Sequence, residues 1–216
     1  MGRLGFGPSH KNPRLCSQCF EKAPMGGTEM DVGILFADIR GFTSLAERET
    51  PHALATLLNR FYASAVEVLC EHAIVDKLVG DQVMALYLPR LFPGEPARHM
   101  LADARALVAA AGYAQGKPWV EIGIGLDFGP AFVGNVGAGE VKDFTAIGDV
   151  VNTAARLQGA AAGGEIVMSH AVHHRAGEDA VDGETRELSL KGKSEPEAVI
   201  VCRLQGGQSL PSRPLA

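Results

Sequence analysis

The stretch from Val32 to Thr43 constrains this chain more than any other. Val32-Gly33-Ile34-Leu35-Phe36 is an apolar run that leads to an acid, Asp38, and Gly41, Phe42 and Thr43 follow. The pattern reads as a buried strand, a tight turn at Gly41 and the start of a helix. A carboxylate at the end of a buried strand is costly unless something positive sits on it. The turn aims backbone N–H groups and a helix N-terminus at the same space, which suits phosphate. One stretch therefore offers a cation ligand and a polyphosphate cradle side by side.

A second acid extends the idea. Residues Val75 to Leu88 read as two short strands joined at Gly80-Asp81, and glycine at the first central position fits a type II′ turn. If this hairpin pairs with the first strand, Asp81 lies near Asp38. Two carboxylates that share hard cations with a polyphosphate suit magnesium, which keeps waters and takes few protein ligands. Taken alone, Asp81 is better read as an ordinary solvated turn residue.

Composition narrows the partners. A chain of 216 residues with 46% hydrophobic and 21% charged residues is that of a soluble globular protein, and a net charge of −5 argues against nucleic acid. No apolar run approaches the roughly 18 residues of a membrane span, and the basic N-terminus lacks an apolar signal core, so the expected location is cytoplasmic. Of the four cysteines, Cys16 and Cys19 form a Cys-x-x-Cys pair. With no second pair or His-x-x-x-His after it, packing or a free thiol pair is favoured over a metal or redox site.

Along the chain, residues 1–30 form an irregular Gly- and Pro-rich arm, packed through Leu15 and Phe20. Thr50-Pro51 caps a long helix whose apolar face runs from Leu54 to Leu69. The hairpin at 80–81 follows, then an Ala-rich helix at 97–111 and a strand from Trp119 to Asp127. Phe128-Gly129-Pro130 reads as a turn into a further strand, and 137–143 as a flexible loop. A helix at 148–157, a strand at 165–169, a short helix at 170–176 and strands at 184–190 and 197–204 complete the domain. The tail, 205–216, reads as disordered. The order β-α-β-β-α-β fits an α+β, ferredoxin-like split βαβ sheet with helices on one side. Gly123-Ile124-Gly125-Leu126-Asp127-Phe128 imitates a dinucleotide fingerprint but lacks its third glycine and following helix.

A second constellation lies at Thr145 to Arg156. Gly148-Asp149 opens a helix on which Asn152 and Arg156 stand four apart, on one face. An amide beside a guanidinium can clamp a sugar oxygen and a phosphate. Lys77 precedes Asp81 by four residues on the hairpin's first strand, and Lys191 and Lys193 flank a turn glycine. Each of these is also an unremarkable surface residue by itself.

Together, Phe36-Ala37-Asp38-Ile39-Arg40-Gly41-Phe42-Thr43, Asp76-Lys77-Leu78-Val79-Gly80-Asp81 and Thr145 to Leu157 resemble the catalytic domain of class III nucleotidyl cyclases, in order and spacing, over residues 31–204. The stretch Gly7-Pro8-Ser9 and Asn12 to Cys16 resembles the leader of short bacterial members. The resemblance implies a signalling adenylate cyclase that converts ATP to 3′,5′-cyclic AMP and pyrophosphate with two Mg²⁺ or Mn²⁺ ions. It makes Asp38, Asp81 and the Ile39 carbonyl metal ligands, and Lys77 and Thr145 the pair that reads the base. It makes Asn152 and Arg156 the residues that orient ribose and stabilise the transition state. Phe42 and Thr43 sit at the triphosphate, and Lys191 or Lys193 at its terminal phosphate. Where many members carry an arginine just before the position of Phe144, the nearest basic residue here is Lys142. The metal acids of one subunit face the base-reading residues of another in this family, so a symmetric homodimer is implied. Two other readings compete: a nucleotide-binding module without catalysis, and a diguanylate-synthesising enzyme. The latter needs Gly-Gly-Asp/Glu-Glu-Phe at the hairpin, where this chain has Val79-Gly80-Asp81-Gln82-Val83.

Overall fold

In the computed structural model, which describes residues 7–20, 22–139, 141–177, 183–189 and 196–204, a short helix α1 (Ser17–Phe20) leads into a long strand β1 (Gly26–Ile39). Then come helices α2 (Phe42–Ala46) and α3 (Pro51–Leu69), and the hairpin β2 (Ile74–Val79) and β3 (Gln82–Tyr87). Helix α4 (Pro96–Ala110) and a single 3₁₀ turn (Tyr113–Gln115) precede β4 (Ile122–Ala138) and β5 (Val141–Ile147). The chain continues through α5 (Asp149–Ala160), β6 (Glu165–Ser169), α6 (His170–Ala176), β7 (Glu184–Leu188) and β8 (Glu197–Arg203). The α3 start follows its sequence signal: Thr50 accepts a hydrogen bond from the Ala53 N–H at 3.2 Å, and Pro51 occupies the first turn.

The strands form an eight-stranded sheet of order β2-β3-β1-β4-β6-β8-β7, with β5 paired to β4. Every pairing is antiparallel except β4–β6, where Ile124–Leu126 runs parallel to Ile166–Met168. The α+β, antiparallel-rich expectation therefore holds.

The helices are not confined to one side. On β1, Leu35, Ala37 and Ile39 pack under α3, α4 and α6, against Phe61, Leu69, Met100, Leu107 and Val172. The alternate residues Ile34 and Phe36 pack on the opposite face with Phe20 of α1 and with Val150 and Ala154 of α5. Helix α5 continues along that face through Leu157, against Val167 and Val201. The uninterrupted apolar run at 32–36 is the signature of a strand covered on both faces. The strand also starts six residues before that run. Residues Gly26–Asp31 pair with Pro130–Asn135, yet they are largely exposed and so carry no apolar pattern.

No turn occurs at Phe128-Gly129-Pro130, and within 137–143 the residues Gly137, Ala138 and Val141 to Asp143 are strand rather than loop. β4 runs straight through the first, and the second belongs to the β4–β5 hairpin. Pro130 is tolerated because β4 is flanked on only one side there: β6 pairs with Ile124–Leu126, and β5 pairs with β4 only from Phe132 onward. The glycines of the false fingerprint have a packing role. A Cβ on Gly125 would lie 2.2 Å from the backbone nitrogen of Gln158 and 2.3 Å from the carbonyl of Ala154, so glycine lets α5 press onto β4.

The described part of the arm, residues 7–20, packs against α3 and the sheet. Asn12, fully buried, donates through Nδ2 to the carbonyls of Cys70 (2.9 Å) and Ala73 (2.7 Å), satisfying acceptors at the end of α3. The Val75 N–H donates to the Lys11 carbonyl at 2.9 Å, on the outer edge of β2. Phe20 meets Phe144 of β5 edge-on, with centroids 5.0 Å apart, and Leu15 packs in the same cluster. Cys16 is a free, half-buried thiol; the Cys19 side chain and the tail at 205–216 lie outside the described residues.

Candidate active site

Asp38 ends β1, and the β1–β3 register sets it opposite Gln82, one residue after the turn that carries Asp81. The Ile39 N–H donates to the Asp81 carbonyl at 3.3 Å, so the two acid-bearing segments are joined directly. Gly80 has φ 61, as the first central position of a type II′ turn requires, and its carbonyl accepts from the Tyr62 hydroxyl of α3. The Tyr62 hydroxyl is pushed up by burial and by the nearby Asp81 charge.

The Asp38 carboxyl is also raised. Burial is the main cause, the paired Arg40 guanidinium opposes it, and the negative charge of Asp81 adds to the rise. Two half-buried acids that repel each other are relieved by a cation between them. Hard carboxylate oxygens beside a strand-end carbonyl suit Mg²⁺ or Mn²⁺. No group of three or more His, Cys, Asp or Glu able to hold a metal occurs among the described residues. Two neighbouring acids fit the divalent ions that the sequence implies. Gly41, with φ 70, turns the chain into the five-residue α2, leaving Phe42 half-buried and Thr43 exposed on its first turn.

Lys77 and Thr145 meet across the other side of the sheet's end. The Lys77 ammonium donates to Thr145 Oγ1 at 3.0 Å, although β2 and β5 pair with different strands. The two residues line a cavity of about 350 Å³ with Phe36, Val79, Gln82, Met84, Ala146 and Val151. A mostly apolar slot with three polar side chains, Lys77, Gln82 and Thr145, suits a planar heterocycle. Asp38, Asp81 and Arg156 do not line it.

On α5, Asn152 is exposed and Arg156 half-exposed, and neither has a hydrogen-bond or ion-pair partner among the described residues. Their neighbours Val150, Ala154 and Leu157 are buried and fix the helix. Lys142, nearest to Phe144, is turned to the arm, where its ammonium donates to the Ala23 carbonyl. Lys191 and Lys193 lie outside the described residues.

Four contributors escaped the sequence reading. Arg40 holds Asp38 and also donates to the Ala161 carbonyl at 3.2 Å. Tyr62 sits on the α3 stripe as if it were a core residue but clamps the hairpin turn. Asp76 and Lys11 complete the charge pattern behind Lys77 and Thr145. The bulge that re-aims Asp76, between Val75 and Lys77, leaves no mark in hydrophobic periodicity.

The catalytic domain of adenylate and guanylate cyclases matches residues 27–203. The chain belongs to that family. This cyclase domain superposes on two crystal structures with different nucleotides in their names. The guanylyl cyclase Cya2 shares 27% identity at a TM-score of 0.76, covering 86% of this chain and 98% of that one. The adenylyl cyclase CyaB from P. aeruginosa shares 30% identity at a TM-score of 0.75, covering 84% of this chain and 98% of that one. Among full-length relatives, the uncharacterized protein Rv1319c of Mycobacterium tuberculosis is 32% identical over 194 residues, 84% of this chain. The cyclase domain spans about a third of the length of that relative, 34%. No helix among the described residues is long and apolar enough to cross a membrane.

Proposed function

We propose that this cyclase domain is an adenylate cyclase, forming 3′,5′-cyclic AMP and pyrophosphate from ATP at sites shared between two copies of the chain. The observation that carries the reading is the contact between Lys77 and Thr145 in a slot whose one other polar lining residue among the described residues is Gln82. Adenine offers an acceptor at N1 and a donor at its 6-amino group. Lysine only donates, and threonine accepts. Guanine presents the reverse edge and is better matched by an acid where Lys77 stands. The neighbours' names divide between the two nucleotides, so the choice of base rests on these two side chains.

The ribose 3′-oxygen forms a bond to the α-phosphorus, the bond from that phosphorus to the β-phosphate bridging oxygen breaks, and the hydroxyl proton is released. Asp38, Asp81 and the Ile39 carbonyl would hold two Mg²⁺ or Mn²⁺ ions. When bound, such ions lower the pKa of the attacking hydroxyl and neutralise phosphate charge. Phe42 and Thr43 offer backbone N–H groups to the polyphosphate, with Lys191 or Lys193 at its terminal phosphate. Asn152 orients the ribose. Arg156 faces charge that develops on the transferred phosphoryl group, an effect worth roughly 3–4 kcal/mol when one such donor is lost.

Asp38 and Asp81 do not line the base slot of their own chain, and the Asn152 and Arg156 side chains have no partner among the described residues. Both facts support a homodimer in which each copy supplies one half of every site. A cytoplasmic signalling role accords with the composition. Product analysis with ATP and GTP, each with Mg²⁺ or Mn²⁺, across a dilution series tests the whole reading. Cyclic AMP as the main product, with specific activity falling on dilution, is expected. Cyclic GMP as the main product, or no turnover under any condition, would reject it.

A further inference from the structure

Behind the base slot, four charged groups close a ring. The arm's Lys11 ammonium lies 2.6 Å from Asp76 Oδ1 and 2.7 Å from Asp143 Oδ1. Lys77 completes the circuit at 3.3 Å from Asp76 Oδ2 and 3.5 Å from Asp143 Oδ2. The Asp76 side chain is fully buried, and its Oδ2 also accepts the Thr145 hydroxyl at 2.6 Å. Lys11 further donates to the Asp76 carbonyl at 2.7 Å. Asp76 sits at the β2 bulge, which is how consecutive residues, Asp76 and Lys77, both reach Thr145.

We propose that Asp76, held in place by Lys11, is a positioning residue that sets the base preference of the slot by fixing the direction of the Thr145 hydroxyl. A carboxylate only accepts, so the single Thr145 proton is committed to Asp76. One lone pair on Thr145 Oγ1 faces Lys77, and the other is left for the substrate. Thr145 therefore presents an acceptor to the slot and selects a purine with an amino group at position 6 over one with a carbonyl there. Lys11 occupies Asp76 Oδ1 and leaves Oδ2 to Thr145 and Lys77, so the N-terminal arm is part of the base-reading apparatus.

This inference rests on the adenylate cyclase reading, and the test separates the two. ATP and ITP differ at the 6-position and the adjoining N1, so their kcat/KM ratio on one protein reports the direction of that hydrogen bond. Loss of folded protein lowers both nucleotides alike and leaves the ratio unchanged. In wild type, ATP is preferred at least tenfold. Asp76→Asn, whose amide can donate to Thr145 and free its hydroxyl to turn, is expected to lower the ratio about tenfold, mainly by improving KM for ITP. Lys11→Met is expected to lower it about threefold, and Lys11→Arg to restore it. If Asp76→Asn does not fold by circular dichroism, the Lys11 pair decides. A wild type that favours ATP, with a ratio unmoved in the folded variants, overturns the proposal alone. A wild type that favours ITP and GTP overturns the adenylate reading and the proposal with it.

Discussion

Lys77 and Thr145 are 68 residues apart in sequence, and their side chains meet at 3.0 Å. β2 is an edge strand, and β5 pairs only with the distal part of β4. The contact depends on a fold that brings two peripheral strands together over Phe36 and Met84, the floor of the slot. Adenine at that slot would find a donor and an acceptor side by side.

Exchanging the pair should exchange the base. Lys77→Glu with Thr145→Cys is expected to shift preference from ATP toward GTP. Each donor left buried without a partner costs roughly 1–3 kcal/mol, and about 1.4 kcal/mol is a tenfold change. The kcat/KM ratio for the two nucleotides should therefore move at least tenfold. A double variant that keeps its ATP preference would remove the base-reading role from these residues.

Loss of either acid should silence the enzyme. Asp38→Ala and Asp81→Ala are each expected to lower turnover by more than a hundredfold. Thermal unfolding should change little, because both acids are half-buried and sit at the end of the sheet. Asp38→Ala also removes the partner of Arg40 and a charge that burial disfavours. Turnover within a few-fold of wild type in either variant contradicts the ligand assignment.

Mixing complementary variants tests the shared site. Asp38→Ala and Arg156→Ala damage opposite halves, so a heterodimer of the two retains one intact site. At equal concentrations and full exchange, about half the dimers are mixed, each with one of two sites. Roughly a quarter of wild-type activity should return. Exchange demonstrated by fluorescence transfer without recovered activity would show that each site is built within one chain.

Acid should loosen the far edge of the sheet through Glu165. Hydrogen bonds from Arg186 hold its buried carboxyl at about 2 against an ordinary value of 4.5, with Arg203 also paired to it. A depressed carboxyl stabilises the fold above its unfolded value and loses that contribution as pH falls from about 4.5 through 2. Solvent screening around Arg186 and Arg203 limits the gain to about 1–2 kcal/mol. Glu165→Gln should lower the Tm at pH 7 by about 2–8 °C and have less effect near pH 2. An equal loss at both pH values would mean that the charge is not the cause.

The local patterns of the chain determined a good deal. The apolar run and acid at 32–38, the glycine turns at 41 and 80, the Thr50 cap and the Asn152–Arg156 face all follow from short-range chemistry. Each appears in the structure where its residue types require it. Pairing across distance was not legible in the same way. Pro130 looks like a turn until β1 is seen to flank it, and Gly125 looks like a nucleotide loop until α5 is seen pressed against it. Lys11, Asp76 and Asp143 are plain surface charges in sequence. They become a ring only because the arm lies along β2, and a bulge there turns Asp76 inward. Periodicity records which face of an element is dry. It carries no record of which distant element dries it, and the placement of these charges depends on that.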